Sequence, residues 1–248
     1  MFSWKKSHAK NYANPNPHYR LIVKEDPTSV AAESYRRVKV ALEYSYVDEK
    51  LQVIQICSSS QGEGKTISIL NLAATYAEDG KKVIVIDLDL RCPKVHRSFR
   101  QENENGITDY LIGKITKEQA IHHGDFGVDA IFRGEHTSNP IGLLGSEKLK
   151  SFIEELRQEY DYVLVDCPPI LAVSDAVLVS KFCDGCLFVV SQKRTERGAA
   201  KEAISSLRDN GVKLLGVVYV DISKKGSSYG SHYYNYYYTY YSNNKKEK

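Results

Sequence analysis

Short apolar runs alternate with amphipathic stretches along this chain, and the spacing of the apolar positions changes from one stretch to the next. From residue 29 to about 46, Ala31, Ala32, Tyr35, Val38, Ala41 and Leu42 recur at helical intervals between charged residues, which predicts a helix. Segments 51–57, 82–87, 128–132, 162–166, 187–191 and 212–221 are short and rich in β-branched residues, and read as strands. Segments 65–78, 147–159, 174–181 and 196–210 read as helices, with shorter ones at 107–113 and 117–122. Strands that alternate with helices predict an α/β fold, a mostly parallel sheet flanked by helices on both faces. A ligand site in such a sheet lies at the carboxyl ends of the strands.

The ends of the chain break this alternation. Residues 1–28 are polar, contain Pro15, Pro17 and Pro27, and read as an irregular arm. Residues 29–222 form the domain, and residues 223–248 form a flexible tail with almost nothing aliphatic to bury.

Composition narrows the class. With 248 residues and 42% hydrophobic content, the chain can bury one sizeable core. The net charge of +3 is small and the basic residues are dispersed, so nothing points to nucleic acid. No apolar run approaches the roughly eighteen residues a membrane span needs, and Phe2-Ser3-Trp4-Lys5-Lys6 lacks the apolar stretch of a signal peptide. A cytoplasmic location is the expectation. Of the five cysteines, Cys57 and Cys167 read as small hydrophobes in buried strands. Cys183 and Cys186 form a lone CxxC, a poor metal site without a second pair. His122 and His123 read as a polar loop or helix end.

Candidate chemistry begins at Ser58-Ser59-Ser60-Gln61-Gly62-Glu63-Gly64-Lys65-Thr66, which follows an apolar strand and opens a helix. That is the setting of a P-loop, with glycines that turn backbone N–H groups inward at a helix N-terminus. Gly62, Glu63, Gly64, Lys65 and Thr66 are the expected ATP contacts, with Lys65 on the terminal phosphates and the Thr66 hydroxyl on Mg²⁺. Ser59 stands where the strict pattern has glycine. The 82–87 strand runs into Asp87, Asp89 and Arg91, three charged residues at alternate positions expected to face one side. The 162–166 strand ends in Asp166 before Cys167-Pro168-Pro169. Acids at strand tips beside a P-loop suit Mg²⁺, so Thr66, Asp87 and Asp166 are the expected metal residues.

The tail holds the acceptor chemistry. Tyr229, Tyr233, Tyr234, Tyr236, Tyr237, Tyr238, Tyr240 and Tyr241 fall within thirteen residues, against ten tyrosines in the 228 before them. A phosphate-transfer site joined to a strip of phenols points to an enzyme that phosphorylates its own tail. A phenol is mostly protonated at neutral pH, so a carboxylate base is expected, Asp87 first and Asp89 second. Eight phosphates would add about −12 to −16 charges and reverse the sign of the chain.

Together these segments resemble the bacterial protein-tyrosine kinases of capsule and exopolysaccharide synthesis, P-loop proteins related to the partitioning ATPases. The resemblance covers roughly residues 29–241. It rests on the GEGKT loop at 62–66, the hydrophobic-DxDxR strand at Asp87, Asp89 and Arg91, and the hydrophobic-DxPP strand at Asp166. Ser138-Asn139-Pro140 with Leu143-Leu144-Gly145-Ser146, and the tyrosine tail, complete it. It implies ATP and Mg²⁺ as cofactors and catalytic roles for Lys65, Asp87 and Asp89, with Arg91 orienting Asp89 or the acceptor. It also implies a homo-oligomeric ring held by a helical E-x-x-R-x-x-R element. Glu33, Arg36 and Lys39 occupy those positions, with lysine in place of the last arginine; spacing alone instead favours a solvated helix face with Glu33 and Arg37 paired at i,i+4. Gln61 replaces a usual proline and Val220 a frequent asparagine.

The implied partners are a membrane-anchored activator or adaptor protein, a cognate tyrosine phosphatase and sugar-nucleotide enzymes as further substrates. The chain would sit at the inner face of the plasma membrane through its partner. Two other classes share parts of the pattern. A partitioning-type or septum-site ATPase would carry a second lysine where Ser60 stands and would lack the tyrosine tail. A non-catalytic regulatory scaffold would not need Lys65, Thr66, Asp87, Asp89 and Asp166.

Overall fold

The computed structural model describes residues 20–46 and 50–220. The alternation becomes seven strands: β1 (Val53–Ser58), β2 (Val83–Asp87), β3 (His122–His123), β4 (Val128–Ile131), β5 (Tyr162–Asp166), β6 (Gly185–Ser191) and β7 (Leu214–Val220). They lie in one sheet of order β3-β4-β2-β5-β1-β6-β7, and only the β3–β4 pair is antiparallel. The helices are α1 (Ile22–Glu25), α2 (Val30–Ser45), α3 (Lys65–Glu78), α4 (Val95–Ser98), α5 (Ile107–Leu111), α6 (Lys117–Ala120), α7 (Pro140–Leu144), α8 (Glu147–Glu159), α9 (Asp175–Ser180) and α10 (Arg197–Asp209).

Every residue of β1 and β2 is buried, as expected for strands covered on both faces. One face packs Ile84, Ile86 and Val163 against α8 and α9, and the other packs Val83, Val85 and Leu164 against α3. In α8 the apolar residues Leu149, Phe152, Ile153 and Leu156 recur at i, i+3, i+4 and i+7, and all four are fully buried. Each such burial contributes about 1.5–3 kcal/mol. The motif around Asn139 resolves into helix caps: Asn139 accepts from the Gly142 N–H at 3.0 Å and Ser146 from the Leu149 N–H at 3.2 Å.

Three local expectations are corrected. Within the segment read as an irregular arm, Ile22–Glu25 form a helical turn that buries Val23, whose N–H reaches the Asn71 side chain at 3.1 Å. The helix expected over 117–122 stops at Ala120, and His122 and His123 pair with β4 as an edge strand. β2 ends at Asp87, so Asp89 and Arg91 lie beyond it and do not follow a strand's alternation. The chain bends there because the Asp87 and Asp89 carboxylates accept from the Asp89 and Cys92 N–H groups, at 3.2 and 2.9 Å.

Candidate active site

The parallel strands bring their carboxyl ends to one rim, where β1 feeds the phosphate loop. Gly62 and Gly64 have φ of +81° and +102°, a region that L side chains rarely occupy, and Gly64 is the N-cap of α3. Lys65 is 7% exposed, and its Nζ donates to Ser58 Oγ at 3.1 Å. The Glu63 carboxylate turns into the protein. It is 1% exposed and accepts from Ser59 Oγ at 2.7 Å, the Ser60 N–H at 3.0 Å and Thr195 Oγ1 at 2.7 Å. Glu63 therefore braces the loop with its side chain, leaving its backbone for a ligand.

The parallel β2–β5 register sets Asp87 directly beside Asp166. Thr66 Oγ1 donates to Asp166 Oδ2 at 2.6 Å, while buried Asp166 Oδ1 has no partner among the described residues. Asp87 is fully buried and also accepts the Lys94 and Val95 N–H groups at 2.8 and 3.0 Å. Asp89 is 8% exposed. Burial pushes the Asp87 carboxyl well above the usual carboxylate range, the Asp166 charge adds to this, and the two backbone donors oppose it. Burial raises Asp166 to about 6, against the pull of Lys65 and the Thr66 hydroxyl. Adjacent acids with raised affinity for protons and one orphaned oxygen fit a divalent cation, which would supply the missing positive charge. Thr66, Asp87 and Asp166 could hold it.

Arg91 turns away from the position expected of it. It pairs with Asp175 of α9, Nε to Oδ2 at 2.9 Å and Nη2 to Oδ1 at 3.2 Å, and Asp175 is fully buried. Asp175 was invisible to sequence reasoning because an acid at a helix start reads as an ordinary first-turn residue. Thr195 was equally hidden, since 132 residues separate it from Glu63.

Glu33, Arg36 and Lys39 lie on α2, remote from this rim. Arg36 donates to both Glu78 oxygens at 2.9 Å and to the Pro27 carbonyl at 2.8 Å, and Lys39 pairs with Asp79. Glu33 approaches Arg36 at 3.6 Å and Arg37 at 3.9 Å. Two cations thus face acids at the carboxyl end of α3, where acids are unfavourable alone. The eight tail tyrosines, from Tyr229 to Tyr241, lie outside the described residues. No described helix is long and apolar enough to cross a membrane.

Fold and site define a P-loop NTPase-like protein, and a family model for an AAA domain matches residues 51–193. The tyrosine-protein kinase YwqD of Bacillus subtilis is 38% identical over 199 residues, covering 80% of this chain and 84% of that protein. Tyrosine-protein kinase etk of Escherichia coli K12 is 34% identical over 84% of this chain, which spans only 29% of that longer protein. Among solved structures, the chimerical protein CapA2B2 is 31% identical with a TM-score of 0.79, covering 83% of this chain and 90% of its own. The kinase domain of E. coli ETK is 28% identical with a TM-score of 0.80, covering 90% and 87%. The chain belongs to the bacterial tyrosine-protein kinase family.

Proposed function

We propose that this protein is an ATP- and Mg²⁺-dependent tyrosine kinase that phosphorylates its own tail between subunits, and thereby regulates capsule or exopolysaccharide synthesis. The observation that carries the reading is the junction of Thr66 with Asp166, 2.6 Å apart beside Asp87, in a loop that also presents Lys65. The acceptors are Tyr229, Tyr233, Tyr234, Tyr236, Tyr237, Tyr238, Tyr240 and Tyr241.

In this reading Gly62, Glu63 and Gly64 offer backbone N–H groups to the phosphates, and Lys65 neutralises charge on the transferring group. Thr66, Asp87 and Asp166 would hold Mg²⁺, which would supply charge stabilisation when bound. A tail phenol enters from a neighbouring subunit, its oxygen bonds to the γ-phosphorus of ATP, and the bond to the bridging oxygen breaks to release ADP. The phenolic proton needs a nearby carboxylate. Asp87 already accepts three backbone N–H groups, whereas Asp89 accepts one. Those contacts favour Asp89 as the base and leave Asp87 to the metal, reversing the order suggested by the sequence.

Glu33, Arg36 and Lys39 serve a ring interface, and a membrane-anchored activator recruits the chain to the inner face of the plasma membrane. Accumulated tail phosphate repels the subunits, a tyrosine phosphatase resets the tail, and sugar-nucleotide enzymes are further substrates.

The test is mass spectrometry of the full chain after incubation with ATP, Mg²⁺ and a cytoplasmic activator segment shown to bind. Phosphate on residues 229–241 is expected, and its loss in Lys65→Met assigns it to this site. Steady ATP hydrolysis without tyrosine phosphate would replace the reading with that of a partitioning-type ATPase.

A further inference from the structure

We infer that Arg194 holds the nucleoside half of the bound nucleotide, set in place by a hydrogen-bonded tether between the β6–α10 turn and the phosphate loop. The inference rests on the reading of residues 59–66 as an ATP loop.

The sheet order makes the two sides of that loop unequal. On one side of β1 lie β5 and then β2, tipped by Asp166 and Asp87. On the other lie β6 and then β7, whose last residues are Ser191 and Val220. A divalent cation held by the acids would neutralise the terminal phosphates of a nucleotide, so those phosphates belong on the side of the acids. The ribose and base then run over the ends of β6 and β7.

The turn at that end is tied down at two points. Thr195 Oγ1 donates to Glu63 Oε1 at 2.7 Å and accepts the Ser191 N–H at 2.8 Å, and the Gln192 N–H donates to the Val220 carbonyl at 3.0 Å. Arg194 is carried between these ties. Its Nη1 lies 2.5 Å from where a Cβ on Gly62 would stand, so the guanidinium rests on the bare backbone of the loop. Val220 flanks Gly64 from the same side, its methyls 3.6 Å from the corresponding point.

Arg194 is exposed and has no ion pair or side-chain hydrogen bond among the described residues. A planar cation, backed by the loop and without a carboxylate, suits the face of a purine, on which guanidinium groups stack. The tether lowers the ordering cost of such a long side chain. An apolar Val220 beside it suits the same flat ring.

Calorimetric titration of the full chain with ATP, ADP and inorganic tripolyphosphate, each with Mg²⁺, tests this placement. Arg194→Ala is expected to weaken ATP and ADP about tenfold, the scale of a desolvated guanidinium–ring contact, and to leave tripolyphosphate unchanged. Arg194→Lys keeps the charge without the plane and restores little. Thr195→Val weakens ATP selectively, and Thr195→Ser, which keeps the hydroxyl, does not. Equal losses for ATP and tripolyphosphate would make Arg194 a phosphate ligand and overturn the nucleoside placement. Undiminished ATP binding by Arg194→Ala overturns the inference while the ATP-loop reading stands. Wild-type protein that binds neither ATP nor tripolyphosphate overturns both, and that arm alone separates the two failures.

Discussion

The Thr66 hydroxyl donates to one oxygen of Asp166 at 2.6 Å, and the other oxygen of that buried carboxylate has no partner among the described residues. The pair joins the first turn of α3 to the tip of β5, and it leaves the other Asp166 oxygen without a partner among the described residues. Asp166→Asn keeps the shape and removes the charge. Tail phosphorylation is expected to fall about 10²- to 10³-fold, the usual scale for losing an electrostatic contact in transfer chemistry. The ligand-free protein should gain about 1–3 kcal/mol at neutral pH, because a buried charge disappears. A variant both inactive and less stable would contradict this account of Asp166.

The same carboxylate predicts a pH dependence. Its affinity for protons is higher folded than unfolded, with values near 6 and 3.8. Its stabilising contribution is therefore complete below about pH 3.8 and is lost as pH rises through 6. His96 acts in the opposite direction. Burial pushes it down to about 4, so its contribution is present above about 6.5 and is lost as pH falls toward 4. Comparing the pH dependence of the melting temperature of Asp166→Asn with that of wild type reads the titration that Asp166 shares with Asp87. The difference should widen from pH 5 to pH 7.5, and Mg²⁺ with ATP should narrow it. A difference flat across that range sinks the assignment.

Arg36 tests what α2 does. Its pair with Glu78 is partly exposed, so Arg36→Ala should cost only about 0.5–1 kcal/mol of protomer stability. If Arg36 also faces a neighbouring subunit, the same variant lowers the oligomer mass in light scattering. A lowered melting temperature at unchanged mass would confine Arg36 to bracing α2 against the end of α3.

Asp175 is fully buried and has Arg91 as its cation. Arg91→Ala strands that carboxylate and should cost roughly 2 kcal/mol, less than a fully buried pair because Arg91 is partly exposed. Asp175→Asn in the same chain should recover most of the loss. A double-mutant cycle on urea midpoints reads the coupling directly, and additive losses would show that the contact carries no energy.

Local pattern reached far into this fold because the strands are buried on both faces and the main helices carry clear apolar stripes. Glu147–Glu159, Tyr162–Asp166 and Lys65–Glu78 have the bounds expected of them, each closed by a change of period or a turn residue. The misses have local causes. Ile22–Glu25 is too short for a helical period, and the His122–His123 strand exists only because β4 offers an edge. Arg91 departs from alternation because two side chains, Asp87 and Asp89, capture backbone N–H groups and bend the chain.

The sequence by itself determined the doubly covered sheet, the phosphate loop and the identities of the strand-tip acids, since each is written in spacing over fewer than about ten residues. Tertiary structure alone decided which acid stands beside which. The β2–β5 register put Asp87 next to Asp166, and the fold brought Asp175 to Arg91 and Thr195 to Glu63. Such pairings join residues about eighty or more positions apart. They depend on strand order and on burial, which remove water and give each charge a fixed partner, and no local pattern of apolar and polar positions encodes them.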